Sequence, residues 1–537
     1  MDRKKQLQYY LNLIKDNEIL LLKSKDAYFK NHYSHSPLNV ITNFSGSEGE
    51  AVIEKNGRIT LFVDTRYHIL SQKQAFSDIS LYKMSLGETF LDAFKKVYKK
   101  DTILHLPYDI NLVEYMKLSE YFDLRTYKLK KSFLKNDDYN KKASIYLIDK
   151  KINESEFLYK IEKLKNSSIE VDRTIIFNLD IIAYLTNLRS FQMKHSSLFK
   201  SILYLDYKNS NYILFLDKIP KKINIKGLNF QKLDEFAAFI QSQEDKIYIE
   251  YKDIALDKFL SIKKPCEIKK NQAPLIASIK SIGAIEAMKK ASNKLDNAIF
   301  NFKNQLKEGL SELQLVEMFE NELIKQKAST TSFKTILSIN ENTASIHYSS
   351  YDKEKLLKPE SLLLLDCGAY YKDGFATDIT RTFYFGVNPP ILYKKIYTSV
   401  LKAFIMGFLS KEKEAKNLDK LIRDYLSQFN KEGFYFNHGL GHGIGTSCHQ
   451  SPPCLSINST DTINPYQTHS IEPGLYGKKG DLEFGVRIEN CVYFDLNHKR
   501  FSLSNYPFEE ILIDYSLLNK QEKDFIQNWQ GSFYGNN

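Results

Sequence analysis

Residues 361–386, SLLLLDCGAYYKDGFATDITRTFYFG, place Asp366 and Asp378 on two strand-like runs around a polar turn at Lys372, Asp373 and Gly374. With the turn centred on Lys372, the two aspartates are cross-strand neighbours on one face, their Cβ atoms about 4.5–5.5 Å apart. Four leucines lead into Asp366, so its strand reads as buried. Two carboxylates meeting away from water must share a proton or a cation. Taken alone, the hairpin leaves open that one aspartate is exposed or paired with Arg381.

Further along, FNHGLGHGIGTSCHQ holds His438, His442 and His449, three of only eleven histidines, in a stretch too rich in glycine for a helix. A backbone built for close approach favours a site over three unrelated structural histidines. The segment HSIEPGLYGKKGDLEFGVRIENCVYF then adds Glu472 before a Pro-Gly turn and Glu489 within an apolar strand. The period of two puts Arg487, Glu489 and Cys491 on one face of that strand, with Val486, Ile488 and Val492 on the other. Two aspartates, two glutamates and one histidine form an oxygen-rich set suited to Mn²⁺, Co²⁺ or a similar ion rather than to a structural zinc. Four carboxylates balance two divalent ions, not one, and predict a dinuclear site about 3.5–4 Å across.

The elements that must position these groups fall into three blocks. In the first, strands over 51–54 and 59–63 form a hairpin around Asn56-Gly57, followed by a helix through Ala75. A second α/β unit begins near residue 140, with a helix in SEFLYKIEKLKNS and paired strands in SILYLDY and NYILFLD around a turn at 208–211. No short repeat period is visible. The third opens with a helix from about Ile279 through Phe302, then a second helix in GLSELQLVEMFENELIKQ capped by Ser311. From Thr331 onward, strands and glycine-rich turns are expected to dominate.

Composition narrows the alternatives. A chain of 537 residues with 43% hydrophobic and 26% charged residues is globular and long enough for about three domains. Its charge of +11 is spread along the chain, without a motif to focus it on nucleic acid. The apolar residues of the first 26 positions are interrupted by charges, and no run reaches the roughly 18 apolar residues of a membrane span; a cytoplasmic protein is expected. Five cysteines without a CxxC pair argue against disulfides or a zinc ribbon. Cys367 and Cys448 adjoin the candidate site, but neither has its own general base and orienting partner, so a thiol nucleophile is set aside.

The motifs LLDCG, TDITRT, HGLGHGIG, IEPGLY and GVRIEN, in this order, resemble the metal-binding signature of the pita-bread metallopeptidases, the family of methionine aminopeptidase, prolidase and Xaa-Pro aminopeptidase. The resemblance implies metal ligands Asp366, Asp378, His442, Glu472 and Glu489. Asp378 and Glu489 would bridge two divalent ions, Mn²⁺ above all, with Co²⁺ or Zn²⁺ as alternatives. It marks His347 and His449 as catalytic histidines and His438 and Arg487 as accompanying catalytic-site residues; in the mechanism expected from this set, Glu472 carries the proton from the nucleophile to the leaving nitrogen.

Upstream, ITNFSGSEGEAVI with LFVDTRY, and LDIIAYLTNLRS with PCEIKKNQAPLIASIKSIGAIEAMKKA, are similar to the two N-terminal domains of the three-domain Xaa-Pro aminopeptidases. The implied fold class is α/β (α+β): two creatinase-like N-terminal α/β domains, 1–140 and 141–278, then a pita-bread catalytic domain with a C-terminal extension, 279–537. The implied activity is release of the residue ahead of a proline through attack by a metal-bridging hydroxide, in a homodimer acting on Xaa-Pro peptides. A prolidase-type dipeptidase and a non-catalytic binding protein of the same fold are the alternatives. Two departures stand out. The Asp366 to Asp378 interval is one residue longer than the family pattern, and Arg189-Ser190-Phe191 replaces its Arg-Gly-Ser.

Overall fold

The computed structural model describes residues 2–24, 36–130, 133, 140, 143–153, 155–167, 171–243, 247–249, 254–262, 266–268 and 272–534. Two six-stranded mixed sheets come first. The first runs Ile79–Lys83, Ile59–Val63, Glu50–Glu54, Glu18–Lys23, Ile103–Pro107, Asp123–Tyr127 in spatial order. The second runs Leu228–Lys232, Asn211–Leu216, Ser201–Asp206, Arg173–Ile176, Ile247–Ile249, Cys266–Ile268. Both follow the same succession of parallel, antiparallel, antiparallel, parallel and parallel neighbours. One topology is thus used twice, a relation of strand order that leaves no short period in the sequence.

The expected hairpins form. Glu50–Glu54 pairs with Ile59–Val63, and Ser201–Asp206 with Asn211–Leu216, each strand mostly buried on both faces. A shared cluster joins the two units, with Phe62, Phe94 and Leu104 of the first packed among residues such as Ile175, Phe215 and Phe236 of the second.

The C-terminal half opens on the helix Ile282–Asn304, N-capped by Ser281, and the helix Glu312–Lys325, whose Ser311 and Gln314 form a reciprocal capping box. A three-stranded antiparallel sheet follows, Ile336–Ile339, Ser361–Cys367 and Ile379–Phe385, with the middle strand wholly buried. The expectation that strands dominate beyond Thr331 needs correction. Helices Ile391–Leu409, Ala415–Leu426 and Lys520–Tyr534 are prominent there. Ile391–Leu409 runs through the largest core cluster and buries residues on most of its circumference, including Ile396, Val400, Leu401 and Phe404. A helix enclosed in this way has no polar stripe, which is the feature that periodicity detects.

Candidate metal centre

Gly374, at φ +70°, closes the turn between the two aspartate strands, and its N–H donates to Tyr371 O at 2.8 Å. The ladder centres on Asp373, one residue past the expected Lys372, so Asp366 stands opposite Thr380 rather than Asp378. Asp378 is therefore a diagonal neighbour of Asp366 on the same face, one residue ahead of its strand. Both are buried, at 8% and 7% exposure. Arg381 pairs with neither and instead donates to the carbonyls of Thr380, Glu489, Tyr506 and Pro507.

The second expected strand is also interrupted. Leu482–Arg487 and Asn490–Phe494 belong to different sheets, and the chain crosses between them at Ile488 and Glu489. The crossing docks on the aspartate hairpin, where Glu489 N–H donates to Thr380 O and Thr380 Oγ1 donates to Glu489 Oε2 at 2.7 Å. Val486, Ile488 and Val492 point the other way, into the core.

The histidine loop packs against the strand His469–Ile471. A Cβ on Gly441 would stand 2.2 Å from Ser470 O, so only glycine permits this approach. Ser470 Oγ accepts from His442 N–H and donates to Glu472 Oε1, tying the two residues together. His442 Nδ1 faces Gly443 O at 3.2 Å; as the donor there, it leaves Nε2 unprotonated, 3.6 Å from Asp378 Oδ2 and 3.5 Å from Glu472 Oε1.

One ligand atom each from Asp378, His442 and Glu489 lies within 4.8 Å of the other two, with Glu472 and Asp366 beside them. Asp366 Oδ2 accepts from Arg487 Nη2 at 2.6 Å, while Asp366 Oδ1 and Asp378 Oδ1 are buried without a partner. Four carboxylates against one guanidinium leave a deficit of positive charge, and the two orphaned oxygens point to where cations would be held. The residues fit a pair of divalent ions.

Electrostatics say the same. Burial, and next the charge of Asp366, push Asp378 well above the usual carboxylate range; burial and then Asp378 do so for Glu489. Burial pushes Glu472 up to about 8 against the pull of Arg487. Burial holds His442 down to about 4, hence neutral and able to ligate. Without metal, the folded chain keeps carboxyl protons that the unfolded chain has released, so its stability falls as pH rises from ordinary carboxylate values toward 8. Ions displace those protons. The gain in melting temperature on metal loading is therefore expected to grow from pH 5 to pH 8, and a gain that shrinks over this interval would contradict it.

His438 Nδ1 faces Gly439 O, and its Nε2 meets Tyr476 OH at 2.9 Å. Tyr476 OH accepts from Arg487 Nη1 at 2.7 Å, giving a chain from His438 through Tyr476 and Arg487 to Asp366. His347 lies across the site, its Nδ1 2.7 Å from Tyr67 OH, and Tyr67 OH also contacts Ser47 Oγ. Burial, then the charge of Arg66, hold His347 well below the usual histidine range. His449 is exposed, its ring 4.2 Å from that of His442. The structure thus draws together all the residues singled out in the sequence. Tyr67, Arg66, Thr380, Ser470 and Tyr476 were not assigned roles, although all but Ser470 fall within the motifs that carried the resemblance. Cys448 and Cys367 are buried thiols pushed far up, and Cys448 Sγ donates to Asp378 Oδ2, so neither serves as a thiolate.

Comparison with known proteins places this geometry. The pattern of metallopeptidase family M24 matches residues 286–495, and that of the creatinase/prolidase N-terminal domain matches residues 137–294. Xaa-Pro aminopeptidase 1 of Dictyostelium discoideum is 26% identical over 91% of this chain and 85% of its own length. Among solved structures, X-prolyl aminopeptidase of Caenorhabditis elegans, described as a cytosolic enzyme with a di-nuclear active site, superposes with a TM-score of 0.85 at 21% identity over 99% of this chain and 95% of its own. Prolidase of Pyrococcus furiosus matches with a TM-score of 0.52 at 24% identity, over 65% of this chain and 98% of its own. A pita-bread catalytic region behind creatinase-type N-terminal α/β structure makes this chain a member of metallopeptidase family M24.

Proposed function

We propose that this chain is a dinuclear Xaa-Pro aminopeptidase, releasing the first residue of peptides that carry proline at the second position. The observation that carries it is the buried set of Asp366, Asp378, His442, Glu472 and Glu489, with two carboxylate oxygens left without partners. Residues 1–140, 141–278 and 279–537 are its three domains. Mn²⁺ is the proposed metal and a cytoplasmic homodimer the proposed form, both resting on the resemblance in sequence.

Two divalent ions, when bound, lower the pKa of a water toward neutrality and polarise the scissile carbonyl. The chain's own residues do the rest. Glu472, with its raised affinity for protons, accepts one from the attacking water and passes it to the proline nitrogen as the bond breaks. His347, held neutral, donates from Nε2 to the carbonyl oxygen as negative charge gathers there; Nδ1 must then accept, so the Tyr67 hydroxyl is its donor. His449, at the exposed edge beside His442, gives a second donor to the same oxygen. Arg487, fixed by Tyr476 and Thr380, holds Asp366 in place.

Tyr67→Phe removes the hydroxyl that orients His347 and is expected to lower kcat about tenfold, with metal content unchanged. Turnover equal to that of the parent would deny Tyr67 this part.

The defining experiment is hydrolysis of a panel of peptides by metal-stripped protein reloaded with Mn²⁺, Co²⁺ or Zn²⁺. Cleavage of long Xaa-Pro peptides, with Xaa-Ala peptides resistant, is expected. Cleavage confined to Xaa-Pro dipeptides would make it a prolidase, and no cleavage with any metal would make it a binding protein.

A further inference from the structure

A cavity of about 560 Å³ lies between the second N-terminal sheet unit and the C-terminal half, behind the loops that carry the candidate ligands. Arg189 and Lys280 line it, together with Tyr184, Phe375, Thr446 and Gln450. Arg189 is fully buried, and its Nη1 donates to Ala183 O and Leu188 O. Its Nε and Nη2, which form one edge of the guanidinium, have no partner. That edge is the fork that grips a carboxylate or phosphate with two parallel hydrogen bonds.

Lys280, 7% exposed, finds only neutral oxygens, Gln450 Oε1 at 2.9 Å and Ala277 O at 3.0 Å. A third buried cation, Lys160, lies over the Tyr184 ring at 4.7 Å and donates to Tyr184 O and Asn187 Oδ1. Against these stand buried Asp180, whose Oδ1 accepts from Thr446 Oγ1, and the half-buried Asp373 beyond the hairpin turn. At the exposed mouth Glu156 lies 3.9 Å from Lys150 Nζ, and Lys163 lines the rim. Among the described residues, the cavity's interior is thus short of negative charge, and burial pushes both lysines down to about 7.

We propose that this cavity binds a small oxyanion, a phosphate or carboxylate group, between Arg189 and Lys280. The free edge of Arg189 lies just below the cavity surface beside the Phe375 ring, so gripping the anion takes a side-chain shift of Arg189. The site is separate from the peptidase chemistry and stands or falls without it. Its location is pertinent all the same. A Cβ on Gly374 would meet Arg189 Cδ at 2.6 Å, and Gln450 follows His449, so the anion would sit under both the aspartate turn and the histidine loop.

The test uses the full metal-loaded chain, titrated at constant ionic strength with inorganic phosphate and with malonate, binding being read by calorimetry and melting temperature. Either anion is expected to bind and raise the melting temperature, and Lys280→Gln to weaken that binding about tenfold. Tighter phosphate would identify a phosphate ligand, and tighter malonate a carboxylate. Because anions can also meet the metal ions, crystals grown with selenate supply the location, and a selenium anomalous peak beside Arg189 and Lys280 is expected. Equal binding by the parent and Lys280→Gln, or selenium confined to the metal centre or the outer surface, would overturn the proposal. Arg189→Lys, which keeps the charge and loses the fork, is expected to favour neither anion. Should that variant fail to fold, Lys280→Gln and the selenium map still decide.

Discussion

Replacing Asp378 with alanine is expected to abolish stoichiometric metal binding and to lower kcat/KM on the order of 10³-fold or more, at least about 4 kcal/mol of transition-state stabilisation. Asp378 lies at the centre of the constellation. Its Oδ2 is 3.6 Å from His442 Nε2, its Oδ1 has no partner, and its charge raises the proton affinity of Glu489. Removing it also relieves a buried repulsion, so the metal-free variant should melt no lower than the metal-free parent. Metal analysis, melting curves and peptide hydrolysis on one preparation check all three points. A folded variant that binds two ions and turns over normally would show that the ligand set has been wrongly assigned.

The second large effect belongs to His449. His449→Ala should keep the full metal content and lose about 10²- to 10³-fold in kcat, the range for one donor to a developing oxyanion. The ring is exposed and packs beside that of His442 without belonging to the close group of Asp378, His442 and Glu489, so its loss leaves the ligand atoms in place. A KM effect alone, with kcat intact, would recast His449 as a residue that binds peptide.

Much of this site was legible before any coordinates. Asp366 and Asp378 stand out because carboxylates on apolar strands are costly unless something compensates them, and His438, His442 and His449 because they cluster in one glycine-rich stretch; the resemblance then names His442, Glu472 and Glu489 with the two aspartates as the ligand set. Registers were harder to read. The aspartate hairpin centres on Asp373 rather than Lys372, which changes the partner of Asp366 by two residues, and the exact centre of a turn depends on backbone geometry that residue types do not fix. The crossing at Ile488 and Glu489 looked like continuous strand because both of its flanks are strand, in different sheets. Ile391–Leu409 escaped notice because its burial erased the polar stripe that marks most helices. Tyr67 and Tyr476 were hidden for another reason. Tyr67 acts through His347, 280 residues away, and Tyr476 through Arg487 on the paired strand and His438 on another loop, so their roles depend on tertiary contacts that residue type alone does not reveal.

The contact between Tyr67 and His347 bears on the order in which this protein comes into being. A ribosome releases the first sheet long before Glu489 has been joined to the chain, yet the pocket needs a hydroxyl from the former and a carboxylate from the latter. A chain still short of Glu489, or a fragment of either end, therefore lacks part of the proposed site, which is complete only when both have been joined in one polypeptide.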